Sequence, residues 1–269
     1  QAMGRHMGIE FEEMSNSDMQ AIYPFLETHD LYGGQFDPLD GDIDPAQLTQ
    51  ALAKGARDLG AKIVRFCPVT AVEWLGDEWK ITTPNGQIRS EYVVNAAGYR
   101  AGELGKMFGR DVPCVSLAHQ YLITEPIAEL TARDEKLPLL RDPDSSYYLR
   151  QEKDGLLLGP YEKNCRAHWL SSDDPMPDDF SFQLYNDDLE RLEWYIEDAC
   201  ARVPILGTAG ITRVVNGPIP YTPDGLPLLG PMPGVPNAFE ACVFTFGIVQ
   251  AGGAGKLLAE IIIEGAAES

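Results

Sequence analysis

The 269 residues, 44% of them hydrophobic, are enough to bury one large core or two smaller ones. The formal net charge of −20 argues against nucleic acid and anionic membrane surfaces as partners, because a phosphate backbone would be repelled. The acidic residues predict a well-solvated surface; an acidic field that attracts a cationic amine substrate is the alternative.

Neither a membrane span nor a metal site is predicted. The chain has no run of roughly 18 apolar residues, the length that a helix needs to cross a bilayer. The five cysteines are widely spaced and form neither a C-x-x-C motif nor a zinc pattern. Reduced thiols, most of them buried, are therefore expected.

The start of the chain predicts short elements followed by one amphipathic helix. Residues 14–18 have the composition of a helix start, and residues 31–36 that of a strand with a glycine kink. Asp44 is a suitable N-cap and Pro45 a suitable first helical residue. The apolar spacing that follows predicts a helix that ends at Gly60.

The next segment predicts a meander and then a buried strand. The predicted strands cover residues 61–66, 69–75, 78–83 and 92–95. The Pro-Asn-Gly sequence at residues 84–86 predicts a hairpin turn between two of them. Ala97 and Gly98 follow directly after the last strand, and their small size lets the diphosphate of a nucleotide lie against the backbone.

Residues 114–212 differ in character from what precedes them. Strands are predicted over residues 115–124, 147–151 and 155–159, and a long amphipathic helix over residues 187–203. An antiparallel sheet with a helix, placed between two pieces of a nucleotide-binding domain, predicts an inserted part that covers a cofactor and binds substrate.

The C-terminal segment predicts a turn followed by a glycine-rich helix. Gly252, Gly253 and Gly255 are predicted to open the last apolar helix, so that bare backbone N–H groups face a bound anion. The G-x-G-x-x-G motif that usually holds a dinucleotide diphosphate after an N-terminal strand is absent. The sequence is therefore expected to begin inside a longer protein and to lack the first half of a dinucleotide-binding domain.

Six ordered strings carry a resemblance to a known family. They cover residues 94–98, 119–121, 137–142, 147–152, 159–162 and 216–219. Together they resemble the dimethylglycine and sarcosine dehydrogenase family, which belongs to the D-amino-acid-oxidase-like flavoproteins. The resemblance runs from about residue 9 to residue 265.

The resemblance implies an α/β flavoprotein fragment with an incomplete dinucleotide-binding domain and an inserted antiparallel-sheet substrate domain. We assign residues 44–113 and 213–269 to the FAD-binding domain, and residues 1–43 and 114–212 to the substrate-binding domain. The implied cofactor is FAD, and the implied reaction is oxidation of an N-methylated glycine, most readily dimethylglycine. Sarcosine oxidation is one alternative, and a non-catalytic regulatory protein that keeps the fold is another.

The resemblance also implies partners and a location. The substrate is a small N-methylated amino acid, and electrons leave to an electron-accepting protein or to oxygen. The resemblance implies that longer members of the family bind tetrahydrofolate through a C-terminal part, which this sequence is expected to lack. The expected location is the cytoplasm of a bacterium or, in a eukaryote, the mitochondrial matrix.

His119 is the first candidate for catalysis. Alternation places it on the same strand face as Tyr121, and its ordinary pKa lets it help set the protonation state of an amine. A hydrogen-bonded core histidine is the alternative; the resemblance places His119 on the family's active-site histidine. Tyr147 and Tyr148 point to opposite faces of one strand, and the resemblance favours Tyr147 as the catalytic one.

The remaining candidates bind substrate or cofactor. Tyr121, Tyr148 and Arg150 are predicted to contact substrate, with Arg141 or Arg150 as the clamp for a carboxylate. The predicted cofactor contacts combine small residues, a turn and the residues along the flavin ring. They are Val69, Ala97, Gly98, Arg100, Thr222, Pro223, Asp224, Phe246, Gly247, Ile248, Val249, Gln250 and Gly252.

Overall fold

The computed structural model describes residues 2–170 and 173–267, so the two C-terminal residues, Glu268 and Ser269, lie outside it. The chain forms two units that alternate along the sequence. Of the described residues, those within Gln1–Ile43, His119–Cys165 and Phe182–Gly217 form the first unit, and those within Asp44–Ala118, Arg166–Ser181 and Pro218–Ser269 form the second. The assignment of substrate binding and cofactor binding to separate parts of the chain stays a prediction.

The α-helices vary in length from one turn to five. They are α1 (Ala2–His6), α2 (Asn16–Ile22), α3 (Pro45–Asp58), α4 (Ala101–Met107), α5 (Ala128–Thr131), α6 (Glu193–Arg202) and α7 (Gly247–Glu264). Two of the helix starts follow directly from capping chemistry. The Ser15 side chain accepts from the backbone N–H of Asp18 in a capping box, and Asp44 accepts from the backbone N–H of Gln47 at 2.9 Å.

The strands are short except for two long ones that cross the unit boundary. They are β1 (Glu12–Met14), β2 (Gly34–Phe36), β3 (Ala71–Trp74), β4 (Trp79–Thr83), β5 (Gly86–Ser90), β6 (Val93–Asn95), β7 (Val115–Thr124), β8 (Leu140–Asp142), β9 (Tyr147–Glu152), β10 (Gly155–Pro160), β11 (Ala167–His168), β12 (Ile211–Tyr221), β13 (Leu228–Pro231) and β14 (Ala238–Cys242).

An antiparallel sheet with the order β7-β10-β9-β8 organises the first unit. One face of this sheet is packed against helix α6. The buried cluster between them contains Leu122, Tyr147, Leu149, Leu156, Leu158, Leu192, Ala199 and Val203. Because strand side chains alternate, the residues between these positions lie on the opposite face.

Two three-stranded sheets organise the second unit. Strands β3, β4 and β5 form an antiparallel meander. The predicted turn is present with Gly86 at a φ of +123°, but it joins β4 to β5, a strand that was not predicted, whereas the predicted strand at residues 92–95 is β6 and pairs with β14. The other sheet has the order β13-β14-β6, in which β6 runs parallel to β14. Trp79, Ile81, Met232 and Ala238 form a buried cluster, and the Trp79 indole donates to the carbonyl oxygen of Pro236 at 2.9 Å.

Several predicted elements differ from the observed ones. The strand predicted over residues 61–66 is wrong: these residues are exposed and pair with no strand among the described residues, and an unpaired strand has no ladder to stabilise it. The helix predicted over residues 187–203 begins as the 3₁₀ turn Leu189–Leu192 and becomes α-helical only at Glu193. The strand predicted over residues 31–36 is restricted to Gly34–Phe36.

In the part of the chain that the structure describes, no helix is both long and apolar enough to cross a membrane. Within the same residues, His, Cys, Asp and Glu side chains form no cluster of three or more that is suited to a metal ion.

An ion-pair cluster around Arg202 predicts how the first unit responds to acid. Arg202 contacts both carboxylate oxygens of Asp30, at 2.6 and 3.0 Å, and Asp142 at 3.3 Å. The hydrogen bond from Arg202 lowers the pKa of Asp30 to about 2. Because this pKa is depressed on folding, the stabilisation is complete above the ordinary pKa of aspartate and is lost as the pH falls toward 2.

We therefore expect Asp30→Asn to lower the thermal unfolding temperature at neutral pH. The difference from the unsubstituted protein should shrink as the pH falls from about 4 to about 2, because both proteins then lack the ionised pair. Asp144→Asn, at an exposed position of the same unit, is the control and should change little. A difference that stays constant with pH would contradict the role of the Asp30 charge.

Candidate active site

The face of the first unit's sheet that points away from helix α6, called the free face below, carries the predicted substrate residues. His119 and Tyr121 alternate on β7 with the buried residues Ala118, Gln120 and Leu122. Tyr148 and Arg150 alternate with buried residues on β9 in the same way. His119, Tyr121, Tyr148 and Arg150 therefore share the face opposite helix α6.

Tyr147 does not reach that face. Its side chain is 1% exposed within the apolar cluster against α6, and its hydroxyl has no hydrogen-bond partner among the described residues. Burial raises the pKa of the Tyr147 hydroxyl. Tyr147, predicted to be catalytic, and Tyr148, predicted to contact substrate, thus lie on opposite faces of the sheet. Tyr148 shares its face with His119.

The strand register aligns four residues in one row across the free face. Tyr148 on β9 is opposite Gly159 on β10 and opposite Arg141 on β8. Leu157 on β10 pairs with Ile123 on β7, and the two strands are antiparallel. Two residues further along β10, Gly159 is therefore opposite Tyr121. A Cβ atom at position 159 would overlap the Tyr148 ring. Gly159 therefore leaves the space in which this ring lies across β10.

Arg141 extends the row with a positive charge. Its Nη1 donates to the hydroxyl of Tyr161 at 2.6 Å, and the Tyr161 ring lies 5.8 Å from the ring of Tyr148. Among the described residues, no carboxylate pairs with Arg141. Tyr161 is not among the predicted site residues. The alternation of side chains from Gly159 nevertheless places Tyr161 on the same face of the sheet as Tyr148.

Arg150 has a different environment from Arg141. It forms ion pairs with Asp42 at 3.2 Å and with Glu152 at 2.9 Å. Its charge is therefore already compensated within the unit. Of the two arginines considered as a carboxylate clamp, Arg141 has the greater remaining capacity to bind an anion.

His119 is half-buried beside Cys165. The Nε2 atom of His119 lies 3.2 Å from the Sγ atom of Cys165. Burial, with a further contribution from the positive charge of Arg191, lowers the pKa of His119. The imidazole is therefore neutral at pH 7 and able to accept a proton.

The first predicted cofactor contacts follow strand β6 in the second unit. The buried Asn95 side chain accepts from the backbone N–H of Ala97 at 3.2 Å and donates to the carbonyl oxygen of Ala101 at 3.1 Å. Gly98 adopts a φ of +58°, and apart from its chain neighbours no atom of the described residues lies within 4 Å of where its Cβ would be. The loop thus presents bare, fixed backbone next to open space.

Helix α7 begins earlier than predicted. Its first residue is Gly247, so Gly252, Gly253 and Gly255 lie inside the helix rather than at its start, and the prediction that they open it is wrong. Position 246 is a phenylalanine, which cannot cap the helix with a side-chain hydrogen bond. The uncapped N–H groups of the first turn belong to residues 247–249.

The surroundings of this helix start are apolar and exposed. Phe246 is 51% exposed and Val249 is 81% exposed. Among the described residues, and apart from the backbone of α7 itself, no atom lies within 4 Å of where a Cβ at Gly252 would be. Bare backbone at the β6 loop, an uncapped helix start and exposed apolar side chains fit a bound dinucleotide with an apolar ring.

Other predicted cofactor residues already have partners within the second unit. The Thr222 hydroxyl donates to Asp224 at 2.9 Å, and the turn with Pro223 at its centre is closed by Gly225. The Arg100 guanidinium contacts Glu103 at 2.8 Å and the carbonyl oxygens of the loop at residues 177–180. Val69 packs against the Trp79 cluster. Turn and packing requirements thus account for the observed contacts of these side chains.

The chain belongs to the family of FAD-dependent oxidoreductases, whose model matches residues 1–261. It is 44% identical to mitochondrial dimethylglycine dehydrogenase of Mus musculus over 249 residues, which are 91% of this chain and 28% of that protein. It is 36% identical to mitochondrial sarcosine dehydrogenase of Homo sapiens over 274 residues, covering 99% of this chain and 29% of that protein.

A solved structure shares the fold. L-proline dehydrogenase from P. horikoshii superimposes with a TM-score of 0.84 and 24% identity, covering 99% of this chain and 68% of that one. This similarity confirms the predicted D-amino-acid-oxidase-like α/β fold. The chain spans less than a third of the length of the two dehydrogenases named above.

Proposed function

We propose that the chain is part of an enzyme that oxidises an N-methylated glycine, and that dimethylglycine is the preferred substrate. The observation that carries this proposal is the row on the free sheet face, where Arg141 lies beside tyrosine rings. An amino acid of this kind has a carboxylate at one end and a methylated ammonium at the other. The row offers a complementary group to each.

The carboxylate binds to Arg141. Its guanidinium has donors in a planar arrangement that matches a carboxylate, and Tyr161 holds it through the 2.6 Å hydrogen bond. This contact fixes one end of the substrate before reaction, which is the main way in which positioning accelerates a reaction.

The methylated ammonium lies over the tyrosine rings. Tyr121, Tyr148 and Tyr161 present aromatic faces that attract a cation, and methyl groups add apolar contact. Burial is the main cause of the raised pKa of Tyr148, so its hydroxyl stays protonated and available as a donor.

His119 removes the proton from the substrate ammonium. Its lowered pKa keeps the imidazole neutral at pH 7, so that it accepts the proton and frees the nitrogen lone pair. When bound, FAD supplies the acceptor for the hydride that leaves the carbon next to this nitrogen. Ala97, Gly98, residues 246–250 and Gly252 are the groups that we propose to hold it, with Val69, Arg100 and residues 222–224 contributing mainly backbone.

Electron acceptor, folate and location complete the proposal. Reducing equivalents leave to an electron-accepting protein or to oxygen, and tetrahydrofolate binds only if the full-length protein has a C-terminal domain for it. The two dehydrogenases named above are mitochondrial, which supports the matrix for a eukaryotic source. For a bacterial source, we propose the cytoplasm.

Anaerobic reduction of the FAD-loaded protein tests the function. We expect dimethylglycine to remove the visible flavin absorbance faster than sarcosine, and N,N-dimethylethanolamine, which lacks the carboxylate, to react slowest. Faster reduction by sarcosine would assign sarcosine as substrate. A protein that no N-methylated amine reduces would overturn the proposal and support a non-catalytic interaction protein.

Gly252 provides a separate test of the cofactor contacts. Valine is a better helix residue than glycine by a few tenths of a kcal/mol, so Gly252→Val should leave the FAD-free protein at least as stable. If the flavin lies against this helix, the added side chain should weaken FAD binding. Thermal unfolding of the FAD-free protein and a flavin-fluorescence titration measure the two effects.

The matched control for this variant is Gly55→Val. Gly55 is an exposed glycine inside helix α3, where a Cβ also meets no atom within 4 Å. It should show the same change in stability with no change in FAD affinity. Equal FAD affinity in both variants would show that Gly252 does not approach the flavin.

A further inference from the structure

Cys165 lies between His119 and a backbone carbonyl. Its Sγ atom is 3.2 Å from Nε2 and 3.8 Å from Nδ1 of His119, and 2.9 Å from the carbonyl oxygen of Glu162. These distances are short enough for hydrogen bonds to sulfur. The thiol thus links the imidazole to the backbone of the segment that follows β10.

Only one placement of the protons makes both of these contacts hydrogen bonds at the same time. A carbonyl oxygen only accepts, so the thiol of Cys165 uses its single proton in the hydrogen bond that it donates to the backbone carbonyl oxygen of Glu162. The sulfur is then left with lone pairs alone, and it accepts from the N–H group at Nε2 of His119. Burial raises the pKa of the Cys165 thiol to about 11, so the group keeps its proton at neutral pH.

Glu162 holds this arrangement in place from the other side. Its Oε1 accepts from the backbone N–H of Gln120, the residue next to His119, at 2.8 Å. Its Oε2 forms an ion pair with Arg191 at 3.0 Å, and the Glu162 residue is 7% exposed. Glu162 therefore has two roles. Its backbone carbonyl accepts the hydrogen bond from the thiol, and its side chain holds the strand that carries His119.

We propose that Cys165 is a positioning residue for His119. The thiol fixes the rotation of the imidazole and keeps a proton on Nε2, so that Nδ1 is the basic nitrogen of the ring. The hydrogen bond is inferred from geometry alone, whereas its value for amine oxidation rests on the proposed function.

Ring-proton NMR tests the hydrogen bond without any need for activity. The chain has only four histidines, so ¹⁵N-histidine labelling gives few signals, and His119→Gln assigns the relevant one. We expect a slowly exchanging proton on Nε2 of His119. Cys165→Ala should abolish that signal through fast exchange with water, and Cys165→Ser should retain it. Cys200→Ala, which removes another half-buried thiol of the same unit, should leave it unchanged.

Two results would overturn the inference. One is a protonated Nδ1 in the unsubstituted protein, and the other is an Nε2 proton that persists unchanged in Cys165→Ala. Turnover of the FAD-loaded variants then tests the link to function: Cys165→Ala should lower kcat roughly fivefold with little change in KM, and Cys165→Ser should restore it. Loss of the ring proton in Cys165→Ala with unchanged turnover would show that the hydrogen bond exists in the unsubstituted protein and would refute its contribution to amine oxidation.

Discussion

His119→Ala is expected to lower the turnover of an N-methylated glycine by roughly 10²–10⁴-fold, because one positioned proton acceptor is lost. The FAD content should stay the same, since His119 belongs to the first unit and every proposed cofactor contact belongs to the second. Single-turnover flavin reduction, measured alongside the flavin-to-protein ratio, separates these two effects.

His29→Ala is the control for this prediction. His29 belongs to the same unit and its side chain is 78% exposed, so its removal should change neither turnover nor flavin content. If flavin reduction in His119→Ala proceeds at the unsubstituted rate, then His119 is a structural histidine of the sheet.

Arg141→Met is expected to lower kcat/KM for dimethylglycine by roughly 10- to 100-fold, since a hydrogen bond to a charged group is worth about 1.5–3 kcal/mol. Methionine keeps much of the side-chain length and removes the charge. The rate with N,N-dimethylethanolamine should change little, because that compound has no carboxylate. The measured quantity is the ratio of the two kcat/KM values.

Arg150→Met distinguishes the two candidate clamps. Arg150 is paired with Asp42 and Glu152, so its replacement should lower the unfolding temperature more than it changes the substrate ratio. If the preference for a carboxylate is lost in Arg150→Met and kept in Arg141→Met, the clamp is Arg150.

Local sequence rules were sufficient where a short segment determines its own structure. The N-cap at Asp44 with proline in the first turn predicted the start of α3, and alternation predicted the full length of β7. The same alternation predicted that Tyr147 and Tyr148 lie on opposite faces. It could not predict which face is buried, because that depends on helix α6, which is more than 40 residues further along the chain.

Distant contacts account for the other differences. Arg100 follows a glycine loop and was assigned to the cofactor, yet its guanidinium contacts carbonyl oxygens nearly 80 residues away. The start of α7 was misplaced because Phe246 gives no capping signal and the glycine cluster does. Cys165 carries no motif in the sequence, and only the packing beside β7 brings it to His119.

In the proposed function, the glycine at position 159 also affects the entropy of substrate binding. The Tyr148 ring already lies across β10 beside Tyr161, so its rotamer is selected when the chain folds. A side chain that becomes immobile only on binding costs about 0.5–1.5 kcal/mol of affinity, and Tyr148 is spared most of that cost. Tyr148 is thus a rigid, preorganised contact surface before any ligand arrives.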